Sequence, residues 1–162
     1  MRTVQRRFGA FEVPHRESPL WKIRAWLRDH EDEGVHCPAC GQMAKVYRRK
    51  INTGMVQSLT AMYQVGRTGW VHVPTQIGAR SREEGKLAYW ELVEEERVVR
   101  GDGGRAGYWR VTQAGVDFLF GRKTLPKYAR VYDGQVLGFV GPSVTVQDAL
   151  GTRFDYREFM SI

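Results

Sequence analysis

Cys37 and Cys40 are the residues of this chain best suited to specific chemistry. They flank Pro38-Ala39 and precede Gly41, a tight turn of the kind that points two thiolates at one tetrahedral ion. A C-x-x-C turn of this kind is half of a zinc ribbon. The 162 residues contain no other cysteine, so histidines would have to complete a zinc site within one chain. Of the four histidines, His30 and His72 are the better candidates, which makes Cys37, Cys40, His30 and His72 the expected ligand set. His36 is adjacent to a ligand and would reach the ion awkwardly, and His15 is further off. Two copies sharing one ion through two cysteine pairs is a second route. A knuckle without metal and a pair of thiols packed as small hydrophobes also stay open. A redox pair fits least, because it would open a helix in a βαβ unit, whereas proline and glycine here indicate a turn.

The second chemistry is cationic. Twenty-five Lys and Arg against 18 Asp and Glu give a formal charge of +7, which favours contact with phosphate through counterion release. The charge is clustered. Arg2, Arg6 and Arg7 open the chain, Lys45, Arg48, Arg49 and Lys50 form a strip interleaved with Val46 and Tyr47, and Arg97, Arg100, Arg105 and Arg110 gather around a glycine-rich turn. Arg80, Arg82 and Lys86 lie at the start of a helical segment. Guanidinium groups suit either base edges or phosphate. Two acidic patches interrupt the pattern, Asp29 to Glu33 and Glu94 to Glu96. Glu83 and Glu84 stand beside the cationic helix start and would repel phosphate.

These residues need elements to position them. Ser18-Pro19 reads as an N-cap with proline at the first helical position, opening an amphipathic helix through Leu20, Ile23 and Leu27 to about His30, with Trp21 and Trp26 widening its apolar face. A second helix begins near Asn52 and carries Met55, Leu59, Met62 and Tyr63 on one face. Residues 70–73 form a short strand, and Pro74 opens a brief turn to Gly78. Ser81 and Glu84 form a capping box. The helix they start turns Leu87, Trp90 and Val93 inward and is expected to end in Glu94 to Glu96. Val98-Val99 then begins a strand, the Gly101-to-Gly104 region turns it, and Tyr108 to Val111 return. Thr112 caps a helix bearing Val116, Leu119 and Phe120. Asp133-Gly134 joins two alternating runs, Tyr128 to Tyr132 and Gln135 to Phe139, as a hairpin. Thr145 and Asp155 open two short terminal helices.

The fold expected is therefore α+β: a winged helix-turn-helix core, an N-terminal helix with a C-x-x-C knuckle, and a small C-terminal β-hairpin with short helices. The organisation expected is a basic arm at 1–17, helix and knuckle at 18–50, the winged helix at 51–121, and the hairpin module at 122–162.

The segments AYWELVEE (88–95) and YWRVTQAG (108–115), joined by a glycine-rich turn, resemble the recognition-helix-to-wing region of bacterial MarR-type and PadR-type regulators. Glu91 stands where those families usually place glycine, and Val111 where they place leucine. More widely, CPACGQ (37–42), VYRRKIN (46–52), KLAYW (86–90), RAGYWRVT (105–112), LPKYA (125–129) and FDYREFM (154–160) resemble small proteins of tailed phages and prophages. The first resemblance implies DNA binding in a regulatory role. The second implies phage origin and work inside a bacterial host cell.

The expected function is thus duplex-DNA binding as a phage-encoded regulator, through Arg80, Arg82 and Lys86 of the recognition helix, Arg100, Arg105 and Arg110 of the wing, and the Lys45, Arg48, Arg49, Lys50 strip, with a homodimer as one form. The alternative uses the winged helix as a scaffold that binds a host protein such as a polymerase, nuclease or defence factor. No enzyme is expected: a G-x-x-x-x-G-K-S/T loop, H-E-x-x-H and G-x-S-x-G are all missing, and the glycine-rich turn joins strands rather than opening a helix. No apolar run approaches the ~20 residues a membrane span requires, and the basic start lacks the apolar stretch of a secretory signal. The expected compartment is the cytoplasm.

Overall fold

The structure, a computed structural model, describes residues 12–78, 83–98, 101, 107–152 and 155–161. The chain is mixed α+β and divides into two compact units, Met1–Tyr47 and Arg48–Ile162.

In the first unit, helix α1 spans Leu20–His30. Its N-cap is Pro19, not Ser18: the N–H groups of Lys22 and Ile23 bond Pro19 O. The Ser18 hydroxyl instead accepts the His15 N–H at 3.0 Å. Ser18 lies one residue too early, because Pro19 itself holds the non-helical cap conformation (φ −53°, ψ 138°). The expected broad apolar face is narrow. Of its residues only Ile23 is buried, while Leu20 and Trp21 are exposed, Trp21 to 72%. Strands β1 (Val35–His36) and β2 (Met43–Ala44) pair antiparallel, Val35 with Ala44 and His36 with Met43, and carry the cysteine turn between them.

The second unit is built on helix α2 (Thr53–Gly66). Asn52 caps it, its side chain accepting the Met55 N–H at 3.1 Å. Met55, Leu59 and Met62 recur at helical spacing and are almost wholly buried, with Val56 beside them. A three-stranded sheet has the order β4-β6-β5, from β4 (Val71–His72), β6 (Tyr108–Val111) and β5 (Val93–Glu95), with both pairings antiparallel. Between β4 and β5 run a single π turn, Val73–Ile77, closed by the Gly78 N–H on Val73 O, and helix α3 (Glu84–Leu87). One 3-10 turn, Ala88–Trp90, continues α3.

Two expectations are corrected here. The helix through Trp90 does not reach Glu94 to Glu96, and the strand expected at Val98-Val99 begins earlier, at Val93. Glu91 adopts the left-handed conformation (φ 57°) and ends the helix. Val93 and Glu95 then pair with Val111 and Trp109, and Leu92 and Val93 enter the core. Burial and ladder bonds outweigh the helical preference of a Leu-Val-Glu-Glu-Glu run. Val98 is exposed coil.

Thr112 caps α4 (Gln113–Leu119) as expected, its hydroxyl accepting the Gly115 N–H at 3.1 Å. Gly115 is required by packing, since a Cβ there would stand 2.2 Å from Leu92 O. The hairpin of β7 (Leu125–Tyr132) and β8 (Gln135–Val144) turns at Asp133-Gly134, both with positive φ. It is longer than its alternating pattern suggested, and β3 (Tyr47–Lys50) completes the sheet β3-β7-β8. Thr145 and Asp148 form a capping box on α5 (Val146–Leu150), and Asp155 caps α6 (Tyr156–Met160).

One apolar core runs through this unit. It joins Ile51, Met55, Leu59 and Met62 to Leu87, Trp90 and Leu92, then to Phe118 and Leu119, and on to Leu125, Ala129, Val131, Val146 and Leu150. The Trp90 indole N–H donates to Pro126 O at 2.8 Å, tying the end of the helical segment to β7. The hairpin therefore shares its core with the helices before it. No helix of the described residues is long and apolar enough to cross a membrane.

Candidate nucleic-acid interface and cysteine turn

The sequence-derived cationic residues divide into three groups. Arg80, Arg82, Arg100 and Arg105 lie outside the described residues, as does Ser81 of the expected capping box. Lys86 and Arg110 are held by carboxylates. The Lys86 ammonium donates to both oxygens of Glu83, at 3.0 and 3.1 Å, one helical turn back. Glu83, which has no evident role in the sequence, is thus the partner of Lys86. Arg110, opposite Glu94 in the β5-β6 ladder, bonds the Glu94 carboxylate and stacks its guanidinium 4.8 Å over the Trp70 ring. Lys45, Arg48, Arg49 and Lys50 form the third group. All four are exposed, the last three on β3.

Lys50 also opens on a groove of about 660 Å³ in the second unit. Lys127, Ser143, Gln147, Asp148 and Thr152 are among its walls. Lys127 was not legible as a site residue, since its only signal is one cation within an alternating strand. The Asp148 carboxyl is held below its ordinary range, first by the Thr145 backbone N–H, then by the Thr145 hydroxyl, with Lys127 a smaller contributor and burial opposing. The carboxylate is committed to its cap, which leaves the two lysines as the groove's outward chemistry.

A second groove, about 840 Å³, has the opposite character. Glu91, Glu94, Glu95 and Glu96 line it together with Arg97, Trp70 and Trp109. It follows β5, the edge strand of the β4-β6-β5 sheet.

In the cysteine turn, the Cys37 N–H bonds Gln42 O at 2.7 Å and the Gly41 N–H bonds Cys37 O at 2.8 Å. Both thiols are free and the two cysteines approach to 3.6 Å. The Cys37 thiol is lowered from its ordinary value by the backbone N–H of Cys40 first and that of Ala39 next, against a smaller opposing effect of burial. The histidines are engaged elsewhere. His30 Nδ1 bonds Trp26 O at 2.7 Å and its ring stacks on Trp26. His72 Nδ1 meets the Thr75 hydroxyl at 2.7 Å. His36 Nδ1 bonds Gly41 O at 3.0 Å, and His15 Nδ1 accepts the Glu17 N–H. Among the described residues no three of His, Cys, Asp and Glu come together as a metal-holding group.

No family model, no curated protein and no solved structure matches this chain.

Proposed function

We propose that residues 48–162 are a winged helix-turn-helix unit that binds duplex DNA, in the regulatory, phage-encoded role that the resemblance implies. The observation that carries this reading is the order β4-β6-β5 after α2: the strand before the helical turns lies beside the returning strand of the hairpin. In such a module α3 is the recognition helix, the connection between β5 and β6 is the wing, and α2 is the supporting helix. The net charge of +7 and the exposed Arg48, Arg49 and Lys50 of β3 supply the attraction to phosphate. Glu91 in a left-handed conformation supports the likeness to MarR-type and PadR-type regulators, whose glycine at this place would adopt the same φ without strain.

The ion pairs do not remove Lys86 and Arg110 from this account. Exposed pairs are worth about 0–1 kcal/mol, so either cation can exchange its carboxylate for phosphate at small cost. The test is a duplex mobility shift with the whole chain and with Arg82, Lys86 and Arg105 replaced together by alanine. Weakened binding is expected, and unchanged affinity would remove this face from the interface.

The acidic, tryptophan-lined groove favours a second reading, in which the same scaffold receives a cationic host protein. Glu91, Glu94, Glu95 and Glu96, two of them on β5, outnumber Arg97 in this groove and disfavour phosphate there, so this edge suits a different partner from the recognition helix. Retention of a host protein together with no retention on a heparin matrix would favour that reading.

A further inference from the structure

We infer that the Cys37–Cys40 turn is half of a zinc site and that two copies of the chain complete it, sharing one ion through four thiolates. The geometry comes first. Two thiolates about 2.3 Å from one tetrahedral ion stand about 3.8 Å apart. The two cysteines lie 3.6 Å apart, close to that spacing. The turn that holds them is braced at both ends, by the β1–β2 pairing and by the bonds from the Cys37 and Gly41 N–H groups.

The missing ligands come next. The chain has two cysteines and four histidines, and all six are among the described residues. The residues outside that set add one potential ligand, Asp102. Among the described residues of the first unit no third ligand is gathered with the pair. A closed structural zinc site takes four ligands, two more than this turn supplies. A second copy offers the identical pair, and a two-fold axis through the ion satisfies both chains at once.

The first unit also needs such a staple. Its buried residues, among those described, are Pro14, Ile23, Ala44 and Val46. A unit as small as Met1–Tyr47 with so few buried residues is in the size range where small domains commonly add a metal, a disulfide or oligomerisation. Leu20, Trp21 and Met43 stay exposed in the same unit, and Met43 pairs with His36 beside the turn. A second copy brought to the ion supplies apolar surface for them. Binding releases one proton from each of four thiols and changes no oxidation state.

The test uses the full reduced chain, loaded with Zn²⁺ or with Co²⁺ as an optical probe, with metal content and molar mass read on one sample. One ion per two chains is expected, with thiolate charge-transfer and tetrahedral cobalt bands. The dimer should dissociate when a chelator is added. Cys37→Ser and Cys40→Ser should each abolish uptake and dimerisation, whereas His30→Ala, His36→Ala and His72→Ala should leave both intact. Cys40→His preserves a donor atom and should retain the ion, which separates loss of a ligand from loss of the fold. One ion per monomer, loss of uptake in His30→Ala or His72→Ala, a dimer indifferent to chelator, or no uptake by the reduced chain would each overturn the proposal.

Discussion

Lys86 and Glu83 form a bidentate pair at the start of α3, the ammonium lying 3.0 and 3.1 Å from the two carboxylate oxygens. The pair puts a cation that the DNA-binding account needs beside a carboxylate that opposes it. If the proposed interface holds, Glu83→Gln should tighten duplex binding at low salt by releasing Lys86. Lys86→Ala should weaken binding across all sequences and reduce the salt slope by about 1. Fluorescence anisotropy on a labelled duplex reads both, and equal affinity of Glu83→Gln and the parent chain would show that Lys86 stays away from the backbone.

The β3 strip makes a separate prediction. Arg48, Arg49 and Lys50 are exposed on consecutive positions of one strand. Their replacement together by serine should lower affinity while leaving the circular dichroism spectrum unchanged, because none of them contributes to the buried core. Binding equal to that of the parent would confine the interface to the recognition helix and wing.

Gly115 tests the packing of the second unit. Its backbone passes so close to Leu92 O that Gly115→Ala forces α4 and the 91–93 segment apart. The expected cost is about 1–3 kcal/mol of unfolding free energy in denaturant titration. A neutral result would mean that the Leu92 carbonyl and α4 do not approach as described.

The organisation of the unit is partly legible in its sequence. Asn52, Thr112, Thr145 and Asp155 all cap helices where their side-chain chemistry says they should, because a cap is a local bond between near neighbours. Asp133-Gly134 marked its hairpin for the same reason. Ser18 failed as a cap because the adjacent proline took that conformation. The end of the helical segment through Trp90 was not legible: Leu92 and Val93 are claimed by a strand partner near position 111, a distant contact that helix propensity does not register. The pairing of Arg110 with Glu94 and the approach of Lys127 to Lys50 around one groove likewise arise only from strand register. Trp21 misled for the opposite reason, since helical spacing marks an apolar face without saying that anything covers it.

Acid should weaken the C-terminal cap. Asp148 has its carboxyl lowered in the folded chain by Thr145, so the stability it lends is present above the ordinary carboxylate range. That stability is lost as pH falls through the lowered folded value. Asp148→Asn should be less stable than the parent at neutral pH, and the difference should shrink toward strongly acidic pH. A difference constant with pH would place the contribution in something other than the ionised cap.

The most direct test of the central claim is a salt series of duplex binding by the reduced full chain, recorded as the logarithm of the association constant against the logarithm of salt concentration. Four or more neutralised phosphates give a linear fall with a slope of roughly −4 or steeper. A steep linear fall is the expected result, made shallower by Lys86→Ala and by the β3 replacement. A folded chain of charge +7 that leaves the duplex free even at low salt would contradict it.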